Sequence, residues 1–360
     1  MPSATTSLLG AAVAASVLAA ALPALADRLD GVPVVKRIDV AELAPATERR
    51  YWLRAGATAA GQPYLVPVIV MRGHDDGPRL WVSAAVHGDE LNGVRVVQRL
   101  FETLDPERLR GTVIGLPAVN LPGIERHSRF FPLADDGGSQ VDLNRVWPGD
   151  DGPGHAARRF AHDVWQGLAA DQVDLAVDLH TQTRGADFPL FVYADLREPE
   201  VERLARALGP DMIRVDQGIA GSLETAFMEA GVPAVTFEIG GPKRFDGPLI
   251  DRALAGLHAV MLDQGMIDGP MPSLPEPFVG NEEATVRAVA GGFAEVLVGL
   301  GEPVLQGQLI ARQVDLFGDP IATYTAPFDG RVLSVATDPL REPGAMLVRL
   351  LRFVDRDHAR

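Results

Sequence analysis

The fold turns on Leu80-Trp81-Val82-Ser83-Ala84-Ala85-Val86, a short apolar run that ends at His87-Gly88-Asp89-Glu90. Near-continuous apolarity of this length reads as a strand covered on both faces. Two more such runs end on comparable residues: Val173-Asp174-Leu175-Ala176-Val177-Asp178-Leu179 stops at His180, and Pro233-Ala234-Val235-Thr236-Phe237 stops at Glu238. Open α/β sheets place their sites at the carboxyl ends of adjacent strands, so these residues are expected in one crevice. A hydrolytic metal that keeps one position for water takes three protein ligands of N/O type. His87, Glu90 and His180 satisfy that count, with Glu90 returning three positions after His87 across a tight Gly88-Asp89 turn. Glu238 is left over as a base.

Working outward, apolar runs alternate with helix-period segments from about Tyr64 to Gly265, the pattern of an α/β sheet with helices on both faces. The expected strands are Leu65–Val70, Leu80–Val86, Thr112–Val119, Val173–Leu179, Pro189–Tyr193, Ile213–Val215 and Ala234–Ile239. The expected helices are Asn92–Leu104, His155–Ala169, Pro199–Leu208, Leu223–Ala230 and Pro248–Gln264. Gly209-Pro210 and Gly231-Val232-Pro233 supply glycine-then-proline stops to two of them. The fold class is thus α/β, a mixed, mostly parallel twisted sheet. Residues 27–270 form the catalytic domain, 271–283 a Pro-rich linker that suits neither helix nor central strand, and 284–360 a small all-β domain punctuated by glycines. Glu302-Pro303-Val304-Leu305-Gln306-Gly307-Gln308-Leu309 and Ala326-Pro327-Phe328-Asp329-Gly330-Arg331-Val332 resemble the barrel-sandwich fold of biotinyl and lipoyl carriers. A carrier needs a lysine to acylate, and none follows Lys243, so a structural lid is the reading that stays.

Composition narrows the chemistry. The net charge is −15, Lys36 and Lys243 are the only lysines, and no basic run tracks phosphates, which argues against nucleic acid as a partner. With no cysteine there is no disulfide, thiolate nucleophile or Cys-ligated metal, so a zinc site here uses imidazole and carboxylate. Residues 1–26 are apolar and end in Ala24-Leu25-Ala26, an A-x-A-like site, though no Lys or Arg precedes the apolar core. They read as a signal peptide, which puts the protein in the periplasm or outside the cell; a chain that keeps this segment as an extension belongs in the cytoplasm. The Ala-rich stretch with Pro23 is a poor permanent span, and no later segment is long and apolar enough for one.

Between the ligands lies Val141-Asp142-Leu143-Asn144-Arg145. An arginine fork beside an amide suits a carboxylate, giving two directed hydrogen bonds; the competing reading is an Arg–Asp pair capping the loop. Upstream, Asn120 and Arg129 bracket a Pro-Gly loop, where a guanidinium can polarise a scissile carbonyl. Asp178 is positioned to orient the His180 ring. A carboxylate at Glu238, ending a buried strand, is costly unless bonded or functional; its bland alternative is an ion pair with Lys243 or Arg244.

On His87-Gly88-Asp89-Glu90, Asn120 with Arg129, Asp142-Leu143-Asn144-Arg145, Asp178-Leu179-His180-Thr181 and Phe237-Glu238-Ile239-Gly240, the chain resembles the succinylglutamate desuccinylase/aspartoacylase family, relatives of the zinc carboxypeptidases. The resemblance covers about Leu65 to Gly265, and the C-terminal β module also fits it. It implies a zinc-carboxypeptidase-like fold and a zinc-dependent amidohydrolase that removes the acyl group from an N-acyl amino acid. In that reading His87, Glu90 and His180 hold one Zn²⁺ per chain, Glu238 is general base and acid, Asn144 and Arg145 grip a substrate carboxylate, and Arg129 steadies the carbonyl oxygen. An insertion, Phe130 to Gln140, separates Arg129 from Asp142, and the apparent leader departs from familiar cytoplasmic members. Two other readings stay open: a carboxypeptidase-like peptidase, which needs an open cleft, and a binding protein that kept the fold without the chemistry. The acyl group, the amino acid and any homo-oligomer are not legible in the chain.

Overall fold

The computed structural model describes residues 28–134, 139–152, 154–169 and 171–355; the leader expected over 1–26 lies outside them. Eleven strands form one sheet: β1 Arg28–Leu29, β2 Val32–Val35, β3 Thr47–Ala57, β4 Pro63–Arg72, β5 Asp75–Ala84, β6 Arg110–Leu116, β7 Leu175–His180, β8 Leu190–Ala194, β9 Met212–Val215, β10 Ala234–Ile239 and β11 Phe278–Gly280. Their spatial order is β1-β2-β3-β4-β6-β5-β7-β10-β8-β9-β11. Six of the ten pairings are parallel and four are antiparallel. The sheet is mixed and mostly parallel, as its uninterrupted apolar runs predict.

Helices cover both faces. Helices α1 (Asn92–Thr103), α4 (Pro199–Ala207) and α6 (Gly247–Asp263) bury Val96, Val97, Leu100, Leu204, Ile250 and Leu257 against one side. Helices α3 (Ala156–Val164) and α5 (Leu223–Glu229) bury Phe160, Val164, Leu223 and Phe227 on the other, and a short α2 (Leu121–Glu125) lies at the strand ends. Gly209 and Gly231, at φ +60° and +80°, take the left-handed turns expected beyond the ends of α4 and α5.

Departures from the expected elements have local causes. Strand β5 stops at Ala84, not Val86, because Ala85 turns left-handed at φ +55° and swings the chain toward His87. The Thr112–Val119 strand ends at Leu116, after which Val119 N and Asn120 N donate to the carbonyls of Ala84 and Ala85. Trp165–Ala169 leaves the expected helix as a π turn. Strand β3, Thr-Glu-Arg-Arg-Tyr-Trp-Leu-Arg-Ala-Gly-Ala, was not expected at all: it pairs charged and apolar residues with only Leu53 and Ala55 fully buried, so it carries no continuous apolar run. Within the segment expected as a linker, 271–277 has no helix or strand, while Phe278–Gly280 pairs with β9 at the sheet edge.

The C-terminal residues form two small sheets. Glu282–Arg287, Met346–Arg352, Gly330–Ala336 and Pro303–Val304 make one, and Pro320–Thr325, Leu309–Val314, Gly292–Val296 and Leu340–Arg341 the other. Ile310, Val332, Leu347, Val348 and Leu350 lie in the core between them. This module is stitched to the large sheet: Ala186–Asp187 pairs antiparallel with Val335 and Ala336, and Phe188, Phe191 and Met212 pack on Leu333 and Leu351. Ser334, fully buried, accepts from Gln182 Nε2 at 3.0 Å and donates to the Asp187 carbonyl at 2.9 Å. Ser334→Ala leaves the buried Gln182 amide without its acceptor, and a loss of about 1–3 kcal/mol in unfolding free energy by urea titration is expected; an unchanged midpoint would refute that account of the joint.

Candidate active site

Strand register builds the site. In the parallel pair β7–β10, Glu238 lies directly beside His180, and in the pair β5–β7, Ser83 lies beside Asp178. His87 and Glu90 come back over the same strand ends because Ala85 turns the chain and Gly88 lets it pass close to α2. A Cβ at Gly88 would sit 2.2 Å from the Gly123 carbonyl carbon, so no other residue fits. His87, Glu90 and His180 are 3%, 1% and 2% exposed, and one ligand atom from each lies within 4.8 Å of the other two.

The two rings face each other through Nδ1, 3.0 Å apart. Each Nδ1 is also 2.9 Å from a different oxygen of Glu90. The outer nitrogens meet acceptor-only carboxylates: His180 Nε2 lies 2.7 Å from Asp178 Oδ2, and His87 Nε2 3.0 Å from Asp142 Oδ1. Those partners draw the ring N–H outward and aim both Nδ1 lone pairs at Glu90. Two lone pairs and a carboxylate pointed at one spot repel unless a cation stands between them. The donor set is N, N and O, which zinc accepts. Asp178 is held in turn by Ser83 Oγ at 2.6 Å, and Glu90 Oε2 by Thr181 N at 3.0 Å.

Electrostatics point the same way. Burial opposes charge on Glu90, yet the two imidazoles and their hydrogen bonds outweigh it and hold the carboxyl well below the usual carboxylate range. Burial likewise disfavours a charged His180, but Asp178 and Glu90 outweigh it and raise the ring well above its ordinary value. The pocket therefore favours positive charge at its centre. Glu238 behaves differently. Burial, with Glu90 adding to it, pushes its carboxyl up to about 8 against the opposing pull of His180 and Arg129. Its Oε2 is buried with no hydrogen-bond partner. The ion pair with Lys243 or Arg244 that the sequence left open does not form; Arg244 pairs with Asp187 and Asp246.

Arg129 Nη1 bonds Glu90 Oε1 at 2.8 Å and Nη2 reaches Asp142 Oδ2 at 3.4 Å, so the guanidinium braces a ligand as well as lining the crevice. Asn120 is fully buried and structural: it accepts from Gly123 N and donates toward the Val86 and Arg129 carbonyls. Asn144 Oδ1 accepts from Leu223 N at 2.8 Å, tying its loop to the start of α5, and Arg145 Nη1 donates to the Asn144 carbonyl at 2.6 Å. Both Asn144 and Arg145 line a crevice of about 520 Å³ together with His87, Glu90, His180 and Glu238.

Sequence reasoning missed part of this wall. Asp142 is the outer partner of His87, a place foreshadowed only by the matching relation of Asp178 to His180. Tyr193, Arg214, Asp216 and Glu224 also line the crevice, as do Glu283 and Arg349 from the C-terminal module. They come from widely separated stretches of chain, and no local spacing marks them.

Three converging ligand groups beside an unpartnered buried carboxylate define a hydrolase-type site. Residues 76–263 match the family model of the succinylglutamate desuccinylase/aspartoacylase catalytic domain, and the chain belongs to that family. Among its relatives, N-alpha-acetyl-L-2,4-diaminobutyric acid deacetylase of Halomonas elongata is 29% identical over 280 residues, 74% of this chain and 79% of that protein. Succinylglutamate desuccinylase of Pseudomonas aeruginosa is 28% identical over 213 residues, 55% of this chain and 58% of that protein. The product-bound ectoine utilization protein EutE (DoeB) from Ruegeria pomeroyi superposes with a TM-score of 0.75 at 27% identity, over 86% of this chain and 97% of that one. A Rhodobacter sphaeroides succinylglutamate desuccinylase/aspartoacylase structure shares the fold at a TM-score of 0.76 and 22% identity, over 88% and 98% of the two chains.

Removing one inward Nδ1 leaves too few ligands for a zinc ion, so His180→Ala is expected to purify with far less bound zinc than the parent. Elemental analysis checks this, and full zinc content in the variant would reassign the ligand.

Proposed function

We propose that the protein is a zinc-dependent deacylase that hydrolyses the amide of an N-acyl amino acid. The observation that carries the reading is the orphaned Oε2 of Glu238, which is buried on the strand beside His180 in the crevice that His87, Glu90 and His180 also line. His87, Glu90 and His180 would hold the zinc, which would supply the Lewis acidity that polarises a carbonyl and acidifies water.

The chain's own residues do the rest. Glu238 takes a proton from the attacking water at its free oxygen, keeps it in a site where burial already favours the neutral acid, and passes it to the departing amine. Asn144 and Arg145 hold the substrate's α-carboxylate, with the guanidinium as a two-pronged donor. Arg129, anchored on Glu90, presents its remaining N–H groups where the acyl oxygen gathers charge. Asp142 and Asp178 fix the two rings so that nothing reorganises during the reaction.

A peptidase is the second enzyme reading. Glu283 and Arg349 of the C-terminal module wall the crevice, which favours a small substrate over a polypeptide. A binding protein without chemistry leaves the cost of burying Glu238 without a purpose. Among the described residues no helix is long and apolar enough to cross a membrane. For the segment 1–26 we propose export with cleavage after Ala26; native material whose N-terminal sequence begins at Met1 would contradict this.

Glu238→Gln keeps the shape and loses the base. Turnover is expected to fall by roughly 10²–10⁴ with zinc content unchanged. The assay is a panel of N-acyl amino acids, their α-carboxamide analogues and short peptides. The α-carboxamides are expected to react poorly, having nothing for Arg145 to grip. Wild-type turnover in the variant, or a preference for the peptides, would sink the deacylase mechanism.

A further inference from the structure

We propose that Asn92 is a positioning residue for the hydrolysis, a buried clasp that fixes the chain beyond Glu238 against the loop carrying Glu90 and so sets where the base stands relative to the ligand cluster. This rests on the deacylase reading above. Asn92 is the first residue of α1, two positions after Glu90, and is fully buried. Its side-chain hydrogen bonds run to backbone groups beyond Glu238.

Both ends of the amide are used. Nδ2 donates to the Ile239 carbonyl at 2.7 Å and toward the Gly241 carbonyl at 3.4 Å, while Oδ1 accepts from Asp246 N at 2.8 Å. Ile239 follows Glu238 and is the last residue of β10, and Asp246 caps α6 by accepting from Leu249 N. One side chain therefore closes the segment between the base and the next helix. A carboxamide of this length both donates and accepts here, whereas an ionised Asp lacks the donor and Leu lacks both groups. The same segment meets the ligand side twice more, through Lys243 N to the Asp89 carbonyl at 2.8 Å and Gln182 N to the Gly240 carbonyl at 2.8 Å. Those are main-chain contacts, while the Asn92 bonds depend on residue type.

Gly93 presses the same corner onto the ligand strands. A Cβ there would fall 2.7 Å from Leu179 Cβ and 3.0 Å from Ala84 Cβ, so α1 starts in direct contact with the residue before His180 and with the end of β5. Asn92 and Gly93 thus join three strand ends: β5, which leads to His87; β7, which ends at His180; and β10, which carries Glu238. Glu238 needs such support from outside. Its Oε2 takes no hydrogen bond, so no partner at that oxygen steers the carboxyl, and the backbone that carries it has to set its place. A base that reaches first a water and then the departing amine tolerates little drift, since a displacement of about 1 Å lowers a rate by on the order of a hundredfold.

The experiment is a double-mutant cycle of Asn92→Ala with Glu238→Gln in the zinc-loaded protein, read as kcat and KM for an N-acyl amino acid that the parent hydrolyses, with zinc content measured alongside. In the parent background Asn92→Ala is expected to lower kcat by roughly tenfold to a hundredfold while KM and zinc content hold. In the Glu238→Gln background, where no base is left to place, the same substitution is expected to change kcat by less than about twofold. A residue that only stabilises the fold lowers both backgrounds alike, so equal factors overturn the clasp, as does parental kcat in Asn92→Ala. Asn92→Asp is the second variant. It keeps the shape and the acceptor for Asp246 N, loses the donor to Ile239, and is expected to show the same dependence on background even where the alanine variant fails to fold. Parental turnover in Glu238→Gln overturns the deacylase mechanism itself; a loss independent of background overturns the role of Asn92 and leaves that mechanism standing.

Discussion

Two imidazole nitrogens and a carboxylate aimed at a single point form an arrangement that is unfavourable in an uncharged protein interior. The surrounding architecture exists to hold it. Asp142 and Asp178 draw the ring protons outward, Ser83 and Thr181 lock the carboxylates, and Arg129 braces Glu90 from the side. None of these groups can move alone, because each hydrogen bond fixes the orientation of the next. A centre with this much converging negative potential is set for a divalent cation, and its rigidity supplies the preorganisation that hydrolysis demands.

The same crevice distributes charge unevenly around that centre. Glu238 sits where desolvation resists ionisation, the condition a proton carrier needs. Arg145 lines the same crevice as a fixed positive anchor. Glu224 stands on the wall beside that anchor, under the influence of other acids.

Much of this was legible in the chain because strand ends are marked by composition. Apolar runs halted by His87, His180 and Glu238 gave both the sheet and the cluster, and parallel register does place Glu238 beside His180. Asn144 and Arg145 were found by residue type alone and do line the crevice. Other parts were hidden for physical reasons. Strand β3 escaped because its arginines and partial burial dilute the apolar signal. Asp142 entered only through the alternative of an Arg–Asp pair, and its bond to His87 depends on a loop closing over the strand ends, which spacing does not encode. Glu224 has nothing local to mark it, because a carboxylate in a first helical turn is ordinary; only its burial in the fold sets it apart. Glu283 and Arg349 reach the crevice from a module whose docking no local pattern announces.

That docking has a consequence for how the protein comes into being. The loop that follows His180 is completed by Val335 and Ala336 and by the hydroxyl of Ser334, partners 148 to 152 residues further along the chain. During synthesis the ligands His87, Glu90 and His180 emerge well before the strand that steadies them. The newborn catalytic domain therefore has an unfinished floor until the last sheet has left the ribosome, and competence arrives late, as a property of the whole polypeptide.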